Sequence, residues 1–112
     1  MKRVIYRSDA FDKFYFAQDS RTQKKIDYVL QIIRDEEVVN TKFVKRLENT
    51  EFYEIRISTN NEYRIITLTI DKESFIEATA VLLLNGFIKK SNADYPQQIK
   101  IARNVLEKED LL

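Results

Sequence analysis

The chain has 112 residues, 44% hydrophobic and 33% charged, with 19 Lys and Arg against 18 Asp and Glu for a formal net charge of +1. It contains neither cysteine nor histidine. Those absences exclude a disulfide framework, a thiolate nucleophile, zinc held by nitrogen or sulfur, and any Ser-His-Asp or Cys-His catalytic system. The length suits a single domain over residues 1–112, with one two-layer core. A charge so near zero is not the footprint of an avid, non-specific nucleic-acid binder. The apolar part of Met1–Arg7 is too short for a signal peptide, and no run approaches the length that spans a bilayer. A soluble, cytoplasmic protein with no membrane partner is expected.

Val4-Ile5-Tyr6 is a short strand candidate. Ser8 or Asp9 can cap a helix that carries Phe11, Phe14 and Tyr15 on one face. Ser20-Arg21-Thr22-Gln23 has capping-box spacing, and Ile26, Val29, Leu30 and Ile33 follow at helical intervals. Two such stripes predict a helical hairpin lying on a sheet. The period then changes. In Phe52–Ser58, Tyr53, Ile55 and Ile57 alternate with Phe52, Glu54 and Arg56. Thr59–Glu62 is a turn signal, and Tyr63–Ile70 is rich in β-branched residues. Asp71–Ser74 turns the chain again. Phe75–Asn85 reads as the longest strand, and the loss of alternation in its second half suits a central strand covered on both faces. The only glycine, Gly86, sits where that strand is expected to stop, with Lys89 and Lys90 just beyond. A last helix is expected from Asp94, with Pro96 in its first turn and Ile99, Ala102, Val105 and Leu106 inward. The order β-α-α-β-β-β-α is that of an α+β domain, with an N-terminal helical hairpin packed on an antiparallel meander and a C-terminal helix.

The side chains left for chemistry are Arg, Lys, Glu and Tyr. No Gly-rich phosphate loop is present, and the acids lack a ligand-like cluster, so no cofactor or metal is implied. Glu54 and Arg56 share one face of their strand, and alternation puts Arg64 with Ile66, Leu68 and Ile70 on the next. An arginine among apolar residues needs an anion or an exit to solvent. One reading is a salt bridge to Glu54, Glu62 or Glu77. The other is a phosphate site, where guanidinium forks and lysine charges stabilise the transition state of RNA cleavage. A ribose 2′-hydroxyl would attack phosphorus, with Glu54 a weak base and lysine mostly protonated. Slow chemistry that relies on positioning is expected.

Leu47-Glu48…Tyr53-Glu54-Ile55-Arg56, Tyr63-Arg64-Ile65, Leu83–Lys90 and Pro96…Ile99…Ala102 together resemble the HigB-like branch of the RelE/ParE toxin superfamily. The resemblance implies the RelE-like fold and the toxin of a type II toxin–antitoxin pair. It implies a ribosome-dependent mRNA endonuclease that inhibits translation and needs no metal. Its partners would be the ribosome, mRNA and a cognate antitoxin with a helix-turn-helix domain, in a toxin–antitoxin hetero-oligomer. Carried onto this chain, Arg56 and Arg64 hold the scissile phosphate, Lys89 and Lys90 contact the RNA backbone or assist catalysis, and Tyr95 stacks on a base. The same scaffold also serves a ParE-like inhibitor of DNA gyrase, and a non-catalytic interaction module is a third reading.

Overall fold

In a computed structural model, residues 1–111 are described; the last position of the expected 1–112 domain, Leu112, lies outside the described residues. The chain runs β1 (Val4–Arg7), α1 (Asp9–Phe16), α2 (Ser20–Asp35), β2 (Val44–Arg46), β3 (Phe52–Ser58), β4 (Glu62–Thr69), β5 (Ala80–Ile88) and α3 (Asp94–Lys108). Ser8 caps α1: its hydroxyl oxygen accepts from Phe11 N at 2.9 Å while donating to Leu84 O at 2.6 Å. Asp19, not Ser20, caps α2, because its carboxylate reaches the Thr22 N–H at 2.8 Å. Before α3, the Asp94 carboxylate accepts from the Lys90 and Ser91 N–H groups at 2.7 and 3.1 Å. No helix among the described residues is long and apolar enough to cross a membrane.

The five strands form one sheet in the order β1-β5-β4-β3-β2. Strands β3 to β5 make the expected antiparallel meander. Two features go beyond it. The edge strand β1 pairs parallel to β5, and a three-residue strand β2 extends the other edge. Between β2 and β3, Asn49 takes a left-handed backbone (φ 62°), a conformation asparagine tolerates better than most residues.

The long strand also begins later than its composition suggests. Residues 75–79 form a loop, and β5 starts at Ala80. Phe75 folds back onto the core and meets the Tyr53 ring edge-on, with centroids 5.3 Å apart. The Asp71 carboxylate takes the Thr79 and Ala80 N–H groups and the Thr79 hydroxyl, which fixes where the strand resumes.

One sheet face carries Ile55, Ile57, Tyr63, Ile65, Val81 and Leu83 against the α1–α2 hairpin. The other carries Phe52, Ile66, Leu82, Leu84 and Phe87 against Ala102, Val105 and Leu106 of α3. Burial of these stripes drives assembly, at about 1.5–3 kcal/mol per large apolar side chain. The lost alternation in β5 has a second cause besides coverage of both faces. A bulge sets Ile66 opposite Asn85 but Thr67 opposite Leu83, leaving Leu84 as the extra residue. Beyond it Gly86 turns toward α1. Gly86 therefore lies within β5, not at its end, and a β-carbon there would collide with the Phe14 ring.

Arg3 is the largest fully buried side chain. Its guanidinium donates to five carbonyls: Phe75 from Nε, Ile33 and Glu36 from Nη1, Glu37 and Ile76 from Nη2, at 2.6–3.1 Å. The Phe75 ring lies 5.1 Å from its Cζ. Burial lowers its pKa from the ordinary value, and the Glu37 charge works the other way. One cation thus ties the N-terminus, the end of α2 and the 75–79 loop together.

Arg3→Met, which keeps the apolar stem but strands the five carbonyls, is expected to cost about 3–5 kcal/mol in urea unfolding. Gly86→Ala is expected to cost about 1–3 kcal/mol through its clash with Phe14. In a Phe14→Ala background the same change should cost far less, and an undiminished cost would mean that the ring is not the obstacle.

Candidate functional site

The α3-facing side of the sheet is apolar for most of its length and charged at one end. Strand pairing explains the charged end. Arg56 and Arg64 are direct cross-strand partners, Glu54 lies two residues along β3, and Lys45 of β2 sits opposite Glu54. All four project to the same face, where α3 stops short of covering them. The result is a cleft of about 280 Å³ between β2, β3, the segment after β5 and the start of α3.

Glu54 forms the floor. It is 2% exposed, and both carboxylate oxygens are engaged. Oε1 accepts from Arg56 Nε and Nη2 at 3.1 and 2.9 Å. Oε2 accepts a short hydrogen bond from the Tyr95 hydroxyl, and Arg64 Nε stands 3.5 Å away. The expected salt bridge and the expected arginine cluster are therefore the same object. A buried carboxylate holds both guanidinium groups on the cleft side of the sheet.

The two arginines differ. Arg56 is half-buried and lines the cleft, and among the described residues its Nη1 makes no hydrogen bond. Arg64 is buried behind Glu54, with Nη1 donating to Tyr63 O at 3.0 Å and lying 3.6 Å from Glu62. Its Nε lacks a hydrogen-bond partner among the described residues. Arg64 is placed beside Glu54 and Tyr95, and Arg56 faces the cleft.

Tyr95 is held on three sides. Its hydroxyl is bound to Glu54. Its ring meets Phe87 edge-on at 5.9 Å, and the Lys89 ammonium lies 5.6 Å from its centroid. Burial, then the hydrogen bond to Glu54, raise the phenol pKa above its ordinary value, against the opposing pull of Arg64. At neutral pH Tyr95 is a proton donor.

Of the expected residues, the cleft gathers Glu54, Arg56, Lys89 and Tyr95, with Arg64 directly behind. Lys90 is exposed and does not line it; only its backbone N–H is tied locally, to Asp94. Arg103 belongs to another region, paired with Glu51 over the Phe52 ring. Lys45, Arg46 and Asn92 also line the cleft, though none was expected from sequence. The first two sit on β2, whose three residues are too few for a periodic signal. Among the described residues no group of three or more acidic side chains converges as metal ligands would.

Solved structures share this fold. A double arginine-to-alanine mutant of the E. coli RelE toxin in the free state superposes with a TM-score of 0.63 at 15% identity, covering 89% of this chain and 97% of that one. The isolated E. coli RelE toxin superposes with a TM-score of 0.55 at 13% identity, covering 88% and 96%. At such identities the likeness speaks for the fold alone, and it is the fold implied by the resemblance in sequence. No curated protein matches the chain. A family profile described as "Phage derived protein Gp49-like" matches residues 13–107, from within α1 to nearly the end of α3. The chain belongs to this phage-derived, Gp49-like family.

Proposed function

We propose that this protein is the toxin of a type II toxin–antitoxin pair, of the HigB-like kind, and that it cuts mRNA held on the ribosome without a metal. The RelE fold and the family membership support the toxin reading. The observation that carries the chemistry is the cleft itself, where Arg56, Lys89 and Tyr95 converge around a carboxylate that is already neutralised. A site with that charge is suited to a phosphodiester.

In the proposed reaction the ribose 2′-oxygen attacks the adjacent phosphorus, the bond to the 5′-oxygen breaks, and a 2′,3′-cyclic phosphate remains. Arg56 and Lys89 stabilise the extra negative charge on the phosphoryl oxygens. The Tyr95 phenol commits its one proton to Glu54 and braces the carboxylate from the cleft side, so the departing 5′-oxygen takes its proton from water. Glu54 has no unoccupied oxygen, so its part is to aim Arg56 and Tyr95, and the 2′-proton leaves to water. Arg64 acts through Glu54. Lys90, beside the cleft, adds long-range attraction for RNA. No group here is a strong base, so the isolated protein is slow and gains speed when the ribosome orients the message. A helix-turn-helix antitoxin restrains the single-domain toxin in a hetero-oligomer in the cytoplasm.

Induced expression is expected to arrest growth and to produce new message 5′ ends. Arg56→Ala and Lys89→Ala, still folded by circular dichroism, should each lower cleavage by about 10²–10³-fold. DNA-damage signalling with intact messages would point instead to a gyrase-directed toxin.

Tyr95 also titrates. Its folded pKa lies above the unfolded value near 10, so the folded state holds the proton more tightly. The stability it contributes is fully present below pH 10 and is lost as pH rises through the folded value. Tyr95→Phe is expected to cost about 1 kcal/mol at pH 7 and less at pH 11, by urea unfolding at both. A pH-independent difference would show that the phenol's proton is not involved.

A further inference from the structure

The cleft does not end at Arg56. Its far bank is β2, and there Lys45 stands directly opposite Glu54 in the strand register, on the same face of the sheet. Paired β-carbons on such a ladder lie about 4.5–5.5 Å apart, close enough for an ion pair. None forms. Glu54 has already committed Oε1 to two bonds from Arg56 and Oε2 to Tyr95, with Arg64 beside it. Among the described residues Lys45 makes no salt bridge, although it neighbours a carboxylate. Lys89, on the opposite bank, makes none either. Two ammonium groups that make no salt bridge thus face one depression from opposite sides, with Arg56 between them.

Lys45 lies level with Glu54 and Lys89 level with Glu62 and Ser58, so the two are separated diagonally, by the width of β2 to β5 and by the stretch of β3 from Glu54 to Ser58. Three inter-strand steps make about 14 Å, which is more than one phosphate needs. Because β2 is the sheet edge, the cleft is open on that side and chain can run off it. Arg46 pairs instead with Tyr53, and its guanidinium lies over that ring and donates to Thr50 O at 3.1 Å, so its charge is turned to the other face. Glu48 is the one opposing charge on this bank, and it is exposed.

We infer that the cleft is a groove for single-stranded RNA that crosses the strands from Lys89 to Lys45, and that Lys45 is a positioning residue that binds the phosphate flanking the one at Arg56. This rests on the proposed reading of the site as an RNA-cleaving one and extends it to the length and direction of bound chain. Asn92, on the Lys89 side, supplies a neutral amide for a base or ribose edge. Phosphate contacts by lysine fix register without reading sequence, so Lys45 adds affinity whatever the codon.

The test is fluorescence anisotropy at low salt with a labelled, 2′-O-methylated hexaribonucleotide, which cannot be cleaved. Salt is titrated for the wild type, Lys45→Gln, Lys89→Gln and Lys24→Gln, the last on α2 across the sheet. Each single-strand phosphate contact contributes a slope of about −0.7 in log K against log salt. Lys45→Gln and Lys89→Gln are each expected to flatten the slope by about 0.7, the double variant by about 1.4, and Lys24→Gln by nothing. A slope unchanged by Lys45→Gln but flattened by Lys89→Gln overturns the inference and leaves the proposed function standing. An equal effect from Lys24→Gln overturns it too, as a mere net-charge effect. Absence of wild-type binding removes the groove altogether. Message cleavage in cells is read separately, so loss of the groove and loss of the function are told apart.

Discussion

Glu54 is the constraint on which the site depends. A carboxylate sealed from water is costly unless its charge is matched and its lone pairs are filled. Here two guanidinium groups and a phenol do both. The same bonds fix where Arg56 points and keep Tyr95 from rotating. Removing either partner leaves a buried charge short of compensation, so the arrangement is held as a unit. Arg3 shows the contrasting solution at the other end of the molecule. Its buried cation is matched by backbone carbonyls alone, and it organises fold where Glu54 organises a surface.

The location of the cleft follows from unequal coverage of the sheet. The α1–α2 hairpin covers its face with Ile26, Val29, Leu30 and Ile33 in a continuous stripe. On the other face the single helix α3 contributes Ala102, Val105 and Leu106 toward its C-terminal end. Its first turn carries Tyr95 and leaves the strand ends beside it open. Charged residues collect where no helix presses, and rigid strands carry them, so their spacing is that of the ladder.

Much of this was legible in the sequence because periodicity carries it. The helical stripes, strands β3 and β4, and the start of α3 follow from apolar spacing and from turn residues. Face-sharing by Glu54 and Arg56 follows from period two, whereas the place of Arg64 beside them needs the register between β3 and β4. The remainder depends on contacts distant in the chain. Strand β2 is three residues long and exists because β3 offers an edge. Residues 75–79 carry strand-like composition but are drawn back by Phe75 onto Tyr53 and by Asp71 onto Thr79. The parallel pairing of β1 requires knowing that two helices carry the chain over the sheet. The engagement of Tyr95 with Glu54, 41 residues apart, has no local signal at all.

Gly86 looked like punctuation and proves to be a socket. The Phe14 ring enters it from the hairpin side, and the next residue, Phe87, leans on Tyr95 from the other. One backbone thickness separates an aromatic in the N-terminal helix from the phenol in the cleft. The hairpin and the cleft therefore meet across a single strand. Gly86 brings no side chain of its own, so the spacing between that helix and the far face is set by backbone alone.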